Sequence, residues 1–130
     1  MFGFSKKKPK VLLVDDDAFM RTVLASYIPK DVFDVVTAKD GADGISVAGK
    51  EEPSIIMLDA NMPGKDGWET LSDLKADKKT SAIPVLMCTA VDDVGSLDRA
   101  FLAGAQGYIT KPVNKDAFLK KINKTLGLEK

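Results

Sequence analysis

The sequence predicts an α/β domain built on a doubly wound parallel sheet, and three observations carry that prediction. Short apolar runs recur along the chain, with segments of helical spacing between them. Three of the runs, KVLLV, SIIML and PVLMC, are apolar almost throughout, as strands covered by helices on both faces should be. The chain is 130 residues long and 45% hydrophobic, which suits one domain with a real core and leaves no room for a second. Right-handed crossovers between parallel strands then leave few topologies.

The elements follow in order. Residues 1–9, with the run SKKKPK, read as a flexible basic tail, and residues 10–128 as the folded unit. Lys10–Val14 reads as the first strand, and Phe19, Val23 and Tyr27 mark the apolar stripe of the first helix. Asp17 is placed to cap that helix by accepting its free N–H groups, with a third metal ligand as the alternative. A strand over Phe33–Ala38 leads to a helix over Asp40–Lys50, where Gly41, Gly44 and Gly49 lower the helical propensity. Ser54–Leu58 forms the third strand, followed by a helix with Trp68, Leu71 and Leu74 on its inner face, where Trp68 serves as packing. A strand over Pro84–Cys88, a helix marked by Val94, Leu97 and Phe101, a strand over Gln106–Ile109 and a helix marked by Phe118, Ile122 and Leu126 complete the expected set. Lys115, Lys120, Lys121 and Lys124 lie off the last apolar stripe and read as solvated charge, with an acidic partner surface as the alternative.

Composition removes several function classes. Lys plus Arg and Asp plus Glu each number 19, so a net charge of +0 gives no general attraction to nucleic acid or an anionic membrane. Neither direct nucleic-acid binding nor membrane insertion is expected. The chain contains no histidine, which excludes Ser-His-Asp and Cys-His catalysis and the usual zinc ligands. Cys88 is the single cysteine, so no intrachain disulfide can form, as suits a reducing compartment. The run VLLV is cut short by Asp15 and is too short for a secretory core or a membrane span, so a cytoplasmic location is expected.

In a doubly wound sheet, ligands bind beyond the carboxyl ends of the strands. Chemistry-bearing residues should therefore cluster just after the apolar runs. Asp15 and Asp16 follow the first run, Asp59 the third and Thr89 the fourth, and Lys111 comes just past the fifth. Three carboxylates, a hydroxyl and an ammonium would thus meet at one edge. Three carboxylates in one crevice require either a raised pKa or a cation, and Mg²⁺, which takes carboxylates together with phosphoryl oxygens and water, fits the donor set. An aspartate can also attack phosphorus to form an aspartyl phosphate, with the metal, a lysine and a hydroxyl neutralising the equatorial oxygens.

The segments VLLVDDD, IIMLDANMPGKDG, PVLMCTA and GYITKP, in that order, resemble the receiver domain of bacterial two-component response regulators. The resemblance runs from about Lys10 to the end of the chain and implies a flavodoxin-like, five-stranded parallel sheet of order 2-1-3-4-5 flanked by five helices. It implies that Asp59 accepts a phosphoryl group from a histidine kinase or histidine phosphotransfer protein. Asp16 and Asp59 would ligate Mg²⁺ (or Mn²⁺) directly, Asp15 through a water, and Asn61 through its backbone carbonyl. Thr89 and Lys111 would contact the phosphoryl oxygens. Thr89 and the aromatic Tyr108 would act as the switch, reshaping the surface of the fourth helix, fifth strand and fifth helix to control a downstream partner. Pro112 after Lys111 would sit in a cis peptide. The protein would be a regulator, catalysing only its own phosphorylation and dephosphorylation, either alone, as in chemotaxis, or as part of a longer chain.

Some positions depart from the family pattern. Ser54 stands where members often carry an acidic residue, while Ala60 and Val91 occupy variable positions flanking the site. By family analogy Asn61 and Val91 bear on the lifetime of the aspartyl phosphate. Two other readings are a pseudo-receiver that binds partners without phosphorylation, and a phosphatase of the haloacid dehalogenase type with Asp15 as nucleophile, which the Asp15-x-Asp17 spacing imitates. Against the phosphatase, Phe19 stands where a Thr or Val is expected and no acidic pair follows Lys111.

Overall fold

The structure is a computed structural model and describes residues 8–90, 99, 101 and 103–128. Five parallel strands, β1 (Lys10–Val14), β2 (Asp34–Ala38), β3 (Ile55–Asp59), β4 (Val85–Ala90) and β5 (Gly107–Lys111), form one sheet in the order β2-β1-β3-β4-β5. Among the described residues the helices number four, not five: α1 (Ala18–Tyr27), α2 (Gly41–Glu51), α3 (Gly67–Ala76) and α4 (Lys115–Thr125). The helix expected around Val94, Leu97 and Phe101 falls largely outside the described residues, as does Val91; Arg99 and Phe101 are helical. No described helix is long and apolar enough to cross a membrane.

The near-continuous apolar runs are the inner strands. β3 is buried at every position, and β1 and β4 at all but one end, whereas the edge strands β2 and β5 include exposed residues. Successive side chains point to opposite faces, so each strand feeds two cores. Leu12, Ile56, Leu58 and Met87 face Leu71 and Leu74 of α3, while Leu13, Met57, Leu86 and Cys88 face Leu24 of α1 and Phe118 and Ile122 of α4. Trp68 lies in the first of these cores, as expected of packing.

Each helix begins on a side-chain cap. Asp17 accepts from Phe19 N at 2.9 Å, Asp40 from Asp43 N at 2.8 Å and Asn114 from Ala117 N at 3.0 Å, while Asp66 and Glu69 form a capping box. The third aspartate of the VDDD run is therefore a cap. The glycines that weaken α2 are used for close approach: a Cβ on Gly41 would lie 2.2 Å from Thr70 Oγ1, and one on Gly44 would lie 3.0 Å from Val14 Cγ1. Gly49, also inside α2, has nothing within 4 Å of such a Cβ. Gly49→Ala is accordingly expected to stabilise the protein by about 0.5–1 kcal/mol, read as a raised midpoint in urea at unchanged slope.

The strands extend further than the apolar runs suggest. β3 reaches Asp59, β4 reaches Ala90 and β5 reaches Lys111, because parallel pairing continues through Asp59↔Cys88, Thr89↔Thr110 and Ala90↔Lys111. Asp59 and Lys111 therefore sit on the last residue of their strands and Thr89 on the last but one, where the sheet itself holds them, rather than just past the strand ends.

Candidate functional site: an acidic crevice at the strand ends

The order β2-β1-β3 means that the chain leaves β1 first to one side and later returns on the other, which opens a crevice at the carboxyl ends of β1 and β3. Asp15 and Asp16 enter it from the turn after β1, and Asp59 from the end of β3. Oxygen atoms of these three carboxylates all lie within 4.8 Å of one another. Asp15 and Asp59 are each only 3% exposed, whereas Asp16 faces solvent. Like charges packed this closely are costly, and a cation held among them would offset that cost. The donor set, carboxylate oxygens with one side open, suits a hard divalent ion such as Mg²⁺.

Among the described residues, Lys111 supplies the one side-chain cation that hydrogen-bonds a carboxylate of this cluster. Its Nζ donates to Asp59 Oδ1 at 3.0 Å, and Asn61 N donates to the same oxygen at 3.2 Å. Asp59, Cys88 and Lys111 alternate with the residues of the other core, so all three belong to the α1/α4 face of the sheet. Burial pulls the Lys111 ammonium down, but its hydrogen bond to Asp59 and the charges of Asp59 and Asp15 outweigh this, and the net shift is upward from the ordinary lysine value. Burial pushes the Asp15 carboxyl up; the N–H of Asp17 opposes this, Asp59 adds to it, Lys111 opposes it and Asp16 adds to it, and the net shift is upward. Burial also pushes the Cys88 thiol up to about 12, which removes thiolate chemistry from the site.

Thr89 is fully buried, and among the described residues its Oγ1 has no hydrogen-bond partner. A buried hydroxyl without a partner costs free energy, which a ligand oxygen in the crevice could recover. Tyr108 is half-buried on β5, where it meets Phe101 edge to face at 6.5 Å and lies 5.7 Å below Lys121 Nζ. The register pairs Thr89 with Thr110 and Met87 with Tyr108, so Thr89 and Tyr108 share one face of the sheet two residues apart. Lys111-Pro112 is a cis peptide, as expected. Lys115, Lys120 and Lys124 are exposed, whereas Lys121 is half-buried over Tyr108. Ser54 is structural: its Oγ accepts from Lys10 N at 3.2 Å beside β1.

The crevice thus brings together Asp15, Asp16, Asp59, Asn61 and Lys111, with Thr89 at the end of the neighbouring strand. Two residues in its wall went unread in the sequence. Arg21 Nη1 donates to the Asp15 carbonyl at 2.7 Å. Gly67 begins α3 against the backbone of Asp59, with its N–H on the Ala60 carbonyl at 3.1 Å. The spacing of Arg21 from the cap Asp17, one helical turn, was the signal for the first; contact with Gly67 leaves no mark on the sequence.

A five-stranded α/β fold of this order with an acidic crevice at its carboxyl edge defines the class of flavodoxin-like signalling domains. The chain belongs to the response regulator receiver domain family, which matches residues 11–123. It is 35% identical to Protein PilH of Pseudomonas aeruginosa across 90% of this chain and 97% of that protein. It is 33% identical to the DNA-binding dual master transcriptional regulator RpaA of Synechocystis across 91% of this chain, but spans only 49% of that longer protein. Its fold superposes on the chemotaxis protein CheY4 of Vibrio cholerae with a TM-score of 0.84 at 28% identity, over 91% of this chain and 98% of that one. The protein is therefore a response regulator of two-component signalling.

Proposed function

We propose that residues 10–128 act as a phosphoacceptor receiver, with 1–9 as a basic tail, in a cytoplasmic regulator that takes a phosphoryl group onto Asp59 from a histidine kinase or histidine phosphotransfer protein. The observation that carries this reading is the Asp59 carboxylate, buried among two other carboxylates and tied by one oxygen to Lys111. Both protein donors converge on Oδ1, so Oδ2 is the oxygen placed to attack. It forms the new O–P bond as the P–N bond of phosphohistidine breaks, and the electron pair leaves on the imidazole nitrogen. Asp16 and Asp59 would hold Mg²⁺, or Mn²⁺ in its place, directly, with Asp15 acting through a water and Asn61 through its carbonyl. Such an ion, when bound, neutralises charge on the phosphoryl oxygens.

Lys111 can follow the transferred group, because its ammonium already sits on the acceptor and is held charged. The unpartnered Thr89 hydroxyl can donate to a phosphoryl oxygen. Its movement opens space on the face it shares with Tyr108, and rotation of that ring reshapes the surface around Arg99, Phe101, β5 and α4 for a downstream partner. The phosphoryl group brings about −1.5 to −2 charges. Driving the switch from 1:99 to 99:1 takes about 5.5 kcal/mol, within reach of a few charge-assisted hydrogen bonds in a partly desolvated site.

The test is intact mass after incubation with Mg²⁺ and acetyl phosphate. A Mg²⁺-dependent gain of one phosphoryl group, absent in Asp59→Asn, is expected. No adduct on a protein that still binds Mg²⁺ would instead make this a phosphorylation-independent binding module. Phosphate release that survives Asp59→Asn but is lost in Asp15→Asn would make it a phosphatase.

A further inference from the structure

We infer that Arg21 is a positioning residue for the cation site, setting the orientation of Asp16 through the peptide it grips; the inference rests on the reading that Asp16 and Asp59 hold Mg²⁺. Arg21 lies on α1, one turn beyond the cap, with its backbone N–H on the Asp17 carbonyl at 3.0 Å. Its guanidinium reaches back to the Asp15 carbonyl at 2.7 Å, a short charge-assisted bond. That carbonyl and the N–H of Asp16 belong to one planar peptide unit, so a grip on one end fixes the direction in which Asp16 leaves the turn.

The residues on either side of Asp16 are tied by bonds of their own. Asp15 N donates to the Ala38 carbonyl at 3.2 Å, and Asp15 Oδ1 accepts from Asp17 N at 2.9 Å. These bonds fix Asp15 and Asp17. Asp16 lies between them, exposed, with its place relative to Asp59 set through the backbone. Arg21 therefore controls the one carboxylate of the cluster that burial does not hold. Its cation also approaches the site through the peptide dipole and not through a carboxylate, so it orders the cluster without taking the place of the incoming ion. Outer partners of metal ligands act in this way, and losing one typically weakens binding about 10- to 100-fold.

The experiment is calorimetric titration of MgCl₂ into wild type, Arg21→Met and Arg21→Lys, well below all three melting temperatures, with thermal melts in EDTA alongside. Arg21→Met keeps an unbranched aliphatic stem and removes the donors. Its Mg²⁺ affinity is expected to fall about 10-fold. Arg21→Lys, which can still place an ammonium on the carbonyl, should recover most of that loss. An unchanged Mg²⁺ affinity in Arg21→Met, whether or not its melting temperature falls, would overturn the inference. Loss of affinity in Arg21→Met without recovery in Arg21→Lys would also count against a role through the carbonyl bond. Failure of the wild type itself to bind Mg²⁺ would instead overturn the underlying reading of the crevice.

Discussion

Gly67→Ala is expected to destabilise the protein by on the order of 3 kcal/mol and to lower its melting temperature by roughly 10 °C. Gly67 opens α3 and is buried. A Cβ built on it lies 2.1 Å from the Asp59 carbonyl oxygen and 2.6 Å from Ala60 Cα. Both are backbone atoms at the end of an inner strand, so no side-chain rotation can relieve the contact. Either α3 moves away from β3, opening the core around Leu71 and Leu74, or the peptide after Asp59 turns. The second route misplaces the carboxylate and its bond from Asn61 N. The variant should therefore lose both stability and phosphoryl uptake, unlike Gly49→Ala, which meets open space. Paired melts of the two variants decide it: a Gly67→Ala protein melting with the wild type would show that the α3 start is far more yielding than its packing implies.

The same contact marks the limit of what the chain discloses before its structure is known. The inner strands were legible because burial on both faces leaves near-continuous apolar runs such as VLLV and IIML, and the first helix cap was legible because Asp17 precedes helical spacing. Strand ends were misjudged by one or two residues, because hydrophobicity stops at Leu58 and Cys88 while backbone pairing does not. Asp59, Thr89 and Lys111 are polar residues held inside the ladder, and patterning read them as loop. The acidic cluster was visible because its members follow successive apolar runs. The bond from Arg21 and the clearance at Gly67 depend on angles between elements, and no run of residues encodes those locally. Even the glycines of α2 argued against a helix by propensity, yet Gly41 and Gly44 are what let it approach Thr70 and Val14.

Asp15→Asn is expected to stabilise the metal-free protein at neutral pH by about 1–2 kcal/mol and at the same time to abolish most of its response to Mg²⁺. Asp15 is buried, and its carboxyl is pushed up by that burial, by Asp59 and by Asp16 against the opposing pull of Asp17 N and Lys111. A carboxyl with a raised pKa binds its proton more tightly in the folded state than in the unfolded chain. The folded state is thus favoured below the unfolded value of 3.8, and the advantage is lost as pH rises from there through the folded pKa. At neutral pH the ionised Asp15 is a standing cost. An amide at this position removes the charge and can still accept from Asp17 N, so the slope of stability against pH across that window should flatten in the variant. Mg²⁺ reverses the comparison. In the wild type a bound ion offsets the repulsion and stabilises by mass action, whereas the variant has lost a member of the cluster. Melts in EDTA and in excess MgCl₂ should therefore cross, with the variant higher in the first and the wild type gaining far more in the second. Equal gains from Mg²⁺ in the two proteins would show that the ion binds elsewhere than in the crevice between β1 and β3.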